Sequence, residues 1–199
     1  MQYKMEQAAA RILTGSIHRS KSHSLAFYVG DGTADDISEQ HPGGPMQIHV
    51  NLPQQVRVGQ IIYPPLVVNA DVEVYDWIQV MLVDAFGNVD TALAGDLARS
   101  LHPLNDNQSG SSQPTGYAVF PNLSVGLVGT FTIKVCGMQM NYTSSSPDAT
   151  VATEVYTGEI SVREEAVAAE KPSNDERRLL RRLRDHSSRF GVPRSPASS

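Results

Sequence analysis

From residue 46 onward, apolar and polar side chains alternate in short runs broken by Gly, Pro, Asn and Asp, the pattern of half-buried strands joined by turns. Met46 to Asn51 alternates and is closed by Pro53, and a turn at Gly59 and the pair Pro64–Pro65 lead into an apolar run from Leu66 to Val74. Trp77 to Val83 is the most hydrophobic run, and Asp84, Phe86, Gly87 and Asn88 behind it predict a β-turn and a hairpin. Asp96 to Leu104 holds a further short strand. Tyr117 to Phe120 is interrupted by Pro121 and Asn122, after which Gly129 to Met140 sets Thr130, Thr132, Lys134 and Gln139 between Phe131, Ile133, Val135 and Met138. Val151 to Val162 contains the last strand, anchored by Val155, Ile160 and Val162, and Leu25 to Val29 is a short candidate nearer the start.

Some seven short strands separated by turns predict an all-β fold, an immunoglobulin-like sandwich whose two sheets bury alternate residues between them. The stretches 30–45, 105–115 and 141–150 are poor in apolar residues and read as loops, and 164–170 reads as an acidic, Ala-rich linker. A helix follows over 171–186. Ser173 and Glu176 have capping-box spacing, and Asp175 and Glu176 sit where the helix dipole favours negative charge. Leu179, Leu180 and Leu183 share one face and Arg177, Arg178, Arg181, Arg182 and Arg184 surround the rest. The predicted organisation is a flexible N-terminal arm (1–24), a sandwich (25–170), a basic helix (171–186) and a disordered tail (187–199).

Charge divides the chain. Residues 171–199 carry eight basic and three acidic side chains, a net +5, so with −5 overall the first 170 residues carry −10. An acidic body repels phosphates, so any nucleic-acid contact falls to a local basic patch or to this tail. The length of 199 residues suits one sizeable core. There is no run of 18 apolar residues, so no membrane span is expected, and Arg11 interrupts the short apolar stretch near the start, a poor signal-peptide core. Cys136 is the only cysteine, which excludes an intrachain disulfide and predicts a buried, reduced thiol. The six histidines are scattered, with no HExxH and no Cys/His cluster at ligand spacing. No GxSxG, Walker A or GxGxxG motif appears, and paired carboxylates such as Asp35–Asp36 fall in loops. Nothing points to an enzyme, a cofactor, a metal or a small-molecule substrate.

Three segments carry a resemblance. The block Tyr117, Val119, Phe120, Pro121, Asn122, Leu123, Ser124, Val125, followed by Gly129, Thr130, Phe131, Ile133 and Lys134, resembles the most recognisable segment of the velvet domain of fungal regulatory proteins, with Asn122 where the family has Asp. The run Tyr63, Pro64, Pro65, Leu66, Val67, Val68 and the set Ser100, Leu101, Leu104, Asp106 follow the family's order, as does the final helix from Glu176 to Pro193. The resemblance implies a sandwich similar to the immunoglobulin-like domain of Rel-type transcription factors, which grip DNA from loops at one end. It also implies a nuclear protein, shuttling through the cytoplasm, that controls sporulation, development and secondary metabolism. The implied partners are DNA and a velvet protein, as homodimer or heterodimer.

The stretch ahead of Pro64 differs from the family: it keeps Arg57 and Gly59 but lacks the Lys-Asp-Arg-Arg cluster and is shorter. The candidate DNA-contacting residues are Arg57, Gln60, Arg177, Arg178, Arg181 and Arg182. The competing reading of Arg57 is a strand-edge charge, and of the tail arginines a solvated helix face whose leucines dock on the sandwich. Two functions remain open, a DNA-binding velvet-type regulator and an interaction subunit that has lost DNA contacts and acts through a velvet partner; an unrelated immunoglobulin-like domain is a third reading.

Overall fold

A computed structural model of the chain describes residues 46–104, 115–143, 147–186 and 188–193. The expectations for Leu25–Val29, the N-terminal arm and the loops at 30–45 and 105–114 lie outside these residues. One sheet has the order β1 (Gln47–Val50), β3 (Leu66–Asp71), β9 (Thr115–Phe120), β8 (His102–Pro103), antiparallel throughout. The other has the order β2 (Gln55–Arg57), β13 (Ile160–Arg163), β11 (Gly129–Asn141), β4 (Trp77–Asp84), β5 (Val89–Asp90), with β12 (Asp148–Tyr156) also on β11 and β7 (Ala98–Arg99) also on β4. A two-stranded ribbon of β6 (Leu93–Ala94) and β10 (Ser124–Val125) completes the strands. Among the described pairs only β2 and β13 run parallel.

The sheets enclose one core. Leu66, Val68, Ala70, Ala118 and Phe120 from the first sheet meet Ile78, Val80, Leu82, Phe131, Ile133, Val135, Ile160 and Val162 from the second. This alternation follows from the period of two along each strand. The fold is an all-β sandwich with a C-terminal helix.

The alternate residues of the first sheet are not left to water. Val50, Val67 and Val119 lie in register across β1, β3 and β9, and Leu180 and Leu183 of helix α1 (Asn174–His186) pack on them together with Phe190. The helix starts as its capping residues dictate: Glu176 N donates to Ser173 Oγ at 3.2 Å and Ser173 N donates to Glu176 Oε2 at 2.8 Å.

Several strand expectations are corrected. The described residues hold thirteen strand segments rather than some seven, because pairings of two residues are too short to leave a periodic signal. Asp96–Leu104 holds two such segments, β7 and β8, and the chain passes between the two sheets there. The loop expected over 141–150 ends earlier, since β12 begins at Asp148. The single strand expected at 151–162 is two strands. Between the pairs Lys134↔Tyr156 and Phe131↔Ile160, three residues on one side face two on the other, and Thr157 spans the mismatch. Its N–H donates to Ile133 O at 2.9 Å, and its Oγ1 accepts from Ile133 N at 2.9 Å. Beyond the helix, residues 188–193 belong to the fold: Ser188–Phe190 form a 3-10 turn, and the Phe190 ring is buried edge-on to His102, with centroids 6.0 Å apart. The polar composition around Phe190 conceals this anchor.

Because Leu183 is fully buried between helix and sheet, Leu183→Ala is expected to cost about 2–5 kcal/mol in a urea unfolding series. Arg178→Ala, which removes only an exposed pair with Asp175 at 3.7 Å, should leave the midpoint unchanged.

Candidate nucleic-acid interface

Four strand ends meet at one end of the sandwich. The register pairs Asp84 with Phe131, Val162 with Gly129, and Arg163 with Arg57. Val56 and Val162 are buried in the core, so the next residue on each of these two parallel neighbours, Arg57 and Arg163, faces water. Arg57 Nε donates to the Glu164 carbonyl at 3.2 Å, which orients the guanidinium while leaving both Nη groups without a partner among the described residues. Arg163 Nε donates to Ser161 Oγ at 3.3 Å.

The segment after Arg57 turns sharply. Gln60 N donates to Arg57 O at 3.2 Å, and Gly59 sits at φ 71°, a conformation that glycine adopts without strain. Backbone bonds of 2.8 Å from Gly59 to Val125 and from Ile62 to Leu123 tie this turn to the strand ribbon beside it. The Gln60 side chain is therefore exposed on a supported turn.

Helix α1 brings further arginines to the same region. Arg177, Arg181 and Arg184 are spaced i, i+4, i+7 and form one stripe. Arg184 Nη2 donates to the Pro193 carbonyl at 2.7 Å, and Pro193 shares a groove of about 450 Å³ with Arg57, Gln60, Ile61 and Tyr63. The result is a band of five guanidinium groups running from Arg163 through Arg57 and Arg184 to Arg181 and Arg177. Arg178 and Arg182 lie on the opposite flank, where with His49, Tyr117 and Asp175 they line a separate cleft of about 650 Å³.

The six residues singled out in the sequence thus divide. Arg57 and Gln60 share a groove, Arg177 and Arg181 connect to it through Arg184 and Pro193, and Arg178 and Arg182 are elsewhere. Sequence reading missed Arg163, whose parallel pairing with Arg57 joins segments remote in the chain and leaves no local signal. Arg184 was within reach, since its spacing from Arg177 and Arg181 is a plain helical repeat.

Nearby acidic groups are partly occupied by backbone. Glu170 Oε2 accepts from Gln54 N at 2.9 Å, and Glu176 accepts at the helix start, while Glu164 and Glu165 remain exposed beside Arg163. His102 adds no charge at neutral pH: burial, then the positive charges of Arg189 and Arg99, hold its imidazole below the usual histidine range. Among the described residues no three His, Cys, Asp or Glu side chains gather as a metal site, and no helix is long and apolar enough to cross a membrane. No protein-family model matches the chain, and no curated protein matches its sequence.

Cys136 stands apart from this surface. It follows Val135 on β11 and so faces away from the inter-sheet core, opposite Gln79, yet it is buried. Burial pushes its thiol up to about 11, against the partial relief offered by Lys134. Iodoacetamide should therefore label the native protein far more slowly than the urea-unfolded chain at pH 8. Because the folded value lies above the unfolded one of about 8.5, the native state holds its proton longer, and stability present below that pH is lost as pH rises toward 11. Comparing urea midpoints of wild type and Cys136→Ala between pH 8 and about 11 isolates this contribution, with the steeper alkaline decline expected in the wild type.

Proposed function

We propose that this protein is a velvet-type transcriptional regulator. In this reading it binds DNA sequence-specifically in the nucleus, as a homodimer or as a heterodimer with another velvet protein, and controls development, sporulation and secondary metabolism. The observation that carries the proposal is the band Arg163, Arg57, Arg184, Arg181, Arg177, which crosses one end of a sandwich whose remaining surface is dominated by an acidic body. A local concentration of guanidinium groups offsets that repulsion where it is needed, and each phosphate neutralised releases counterions. Arg177 and Arg181, on a helix, suit phosphate positioning; Arg57 and Gln60, on a supported turn at the sandwich end, suit base edges. The reading requires no catalytic group, cofactor or metal.

The exposed Glu164 and Glu165 beside Arg163, together with the missing Lys-Asp-Arg-Arg cluster, favour a second reading in which the chain works as an interaction subunit of a velvet partner.

Binding to a velvet-type promoter duplex, followed by fluorescence anisotropy across a salt series, separates the two. Arg57→Ala, Arg163→Ala, Arg177→Ala and Arg181→Ala should each reduce the magnitude of the log K against log salt slope by about 0.9, and Arg178→Ala should leave it unchanged. Equal slopes for all five variants sink the band as the contact surface. No binding by the isolated protein, with binding restored by a velvet partner, establishes the second reading instead. Deleting residues 171–199 is unsuitable here, since it uncovers Val50, Val67 and Val119 along with removing charge.

A further inference from the structure

Three large aliphatic side chains are exposed beside Arg57 and Arg163: Ile61 at 59%, Leu127 at 48% and Val128 at 47%. Their proximity follows from the backbone. The antiparallel register Thr130↔Ser161 and Gly129↔Val162 brings Val128 to the level of Arg163, which in turn lies beside Arg57. The Gly59–Val125 and Ile62–Leu123 bonds hold Ile61 against the segment that leads into Leu127, and Gly126 N donates to Ala92 O at 2.8 Å at the root of that loop. Single exposed aliphatics need no explanation, but three at one corner, on turns held by backbone bonds and bordered by two arginines and Gln60, form a defined surface.

We propose that this corner reads A·T base pairs in the major groove, with Gln60 on the adenine edge and Ile61, Leu127 and Val128 against thymine 5-methyl groups. The inference rests on the DNA-binding reading above and names its sequence preference. The chemistry matches group by group. A glutamine amide offers the donor and acceptor that adenine N7 and N6 take together, and aliphatic carbon recognises the thymine methyl, the only apolar group on the major-groove edge of any base pair. DNA is favoured over a protein as the occupant by charge complementarity, because the corner continues directly into the five-arginine band.

The test is competition of a labelled velvet-type promoter duplex by alternating poly(dA-dT), poly(dA-dU) and poly(dG-dC) at fixed salt, using the full chain. Poly(dA-dU) keeps every hydrogen-bonding group of poly(dA-dT) and lacks only the methyls. Poly(dA-dT) should compete better than poly(dA-dU) by about four-fold for each methyl buried. The double variant Leu127→Ala, Val128→Ala, at exposed positions that leave the core intact, should bring that ratio toward one with the salt slope unchanged. Gln60→Ala should reduce the preference for poly(dA-dT) over poly(dG-dC). Equal competition by poly(dA-dT) and poly(dA-dU), with DNA binding intact, overturns the inference and leaves the function standing. Failure of every duplex to bind overturns both. If Leu127→Asp dissociates a dimer while wild type does not distinguish the two A-containing polymers, the corner is a protein contact and the inference is wrong.

Discussion

The structure depends on one constraint: strands β3 and β9 are buried on both faces. Leu66, Val68, Ala70, Ala118 and Phe120 fill the inter-sheet core, while the intervening Val67 and Val119 have no place in it and need a second apolar layer. Helix α1 supplies that layer through Leu180 and Leu183, and the 3-10 turn extends it with Phe190. Each of these side chains contributes on the order of 1.5–3 kcal/mol on leaving water, so the C-terminal segment is an integral third layer of the fold.

The direction of the arginines follows from that packing. Once Leu180 and Leu183 face the sheet, helical geometry sends Arg177, Arg181 and Arg184 to one flank and Arg178 and Arg182 to the other. The Arg184 bond to Pro193 then closes the returning chain against the groove that Arg57 and Gln60 line. The charge band is thus a by-product of burying two leucines, and it costs no buried charge because most of its members are exposed.

A close backbone approach sets the corner where the chain leaves β9. Gly95 has φ 116°, and a Cβ there would collide with the carbonyl of Asn122, while Asn122 Oδ1 accepts from Asp96 N at 3.0 Å. Asn122 therefore secures the loop that precedes Leu123 and β10. Its amide makes this bond without adding another negative charge to an acidic body, a physical account of Asn in place of the Asp that the resembling family carries. The block around Phe120 and Pro121 is a structural corner that holds the neighbouring turn at Gln60 in place through Leu123 and Val125.

What the sequence determined by itself is whatever rests on local periodicity and capping. The alternation in Leu66–Asp71, Trp77–Asp84 and Gly129–Asn141, the hairpin at Asp84–Asn88, and the helix started by Ser173 and Glu176 were all legible, because each depends on neighbours within a few residues. The two-residue strands and the Thr157 mismatch were not, since they exist only as partners of other strands. For the candidate site, Arg57 and the helix arginines were visible as residues but not as a surface. Only tertiary structure set Arg163 beside Arg57 and separated Arg178 and Arg182 from Arg177 and Arg181, because strand register and helix docking are settled by which apolar faces are buried together, and that is a property of the whole chain.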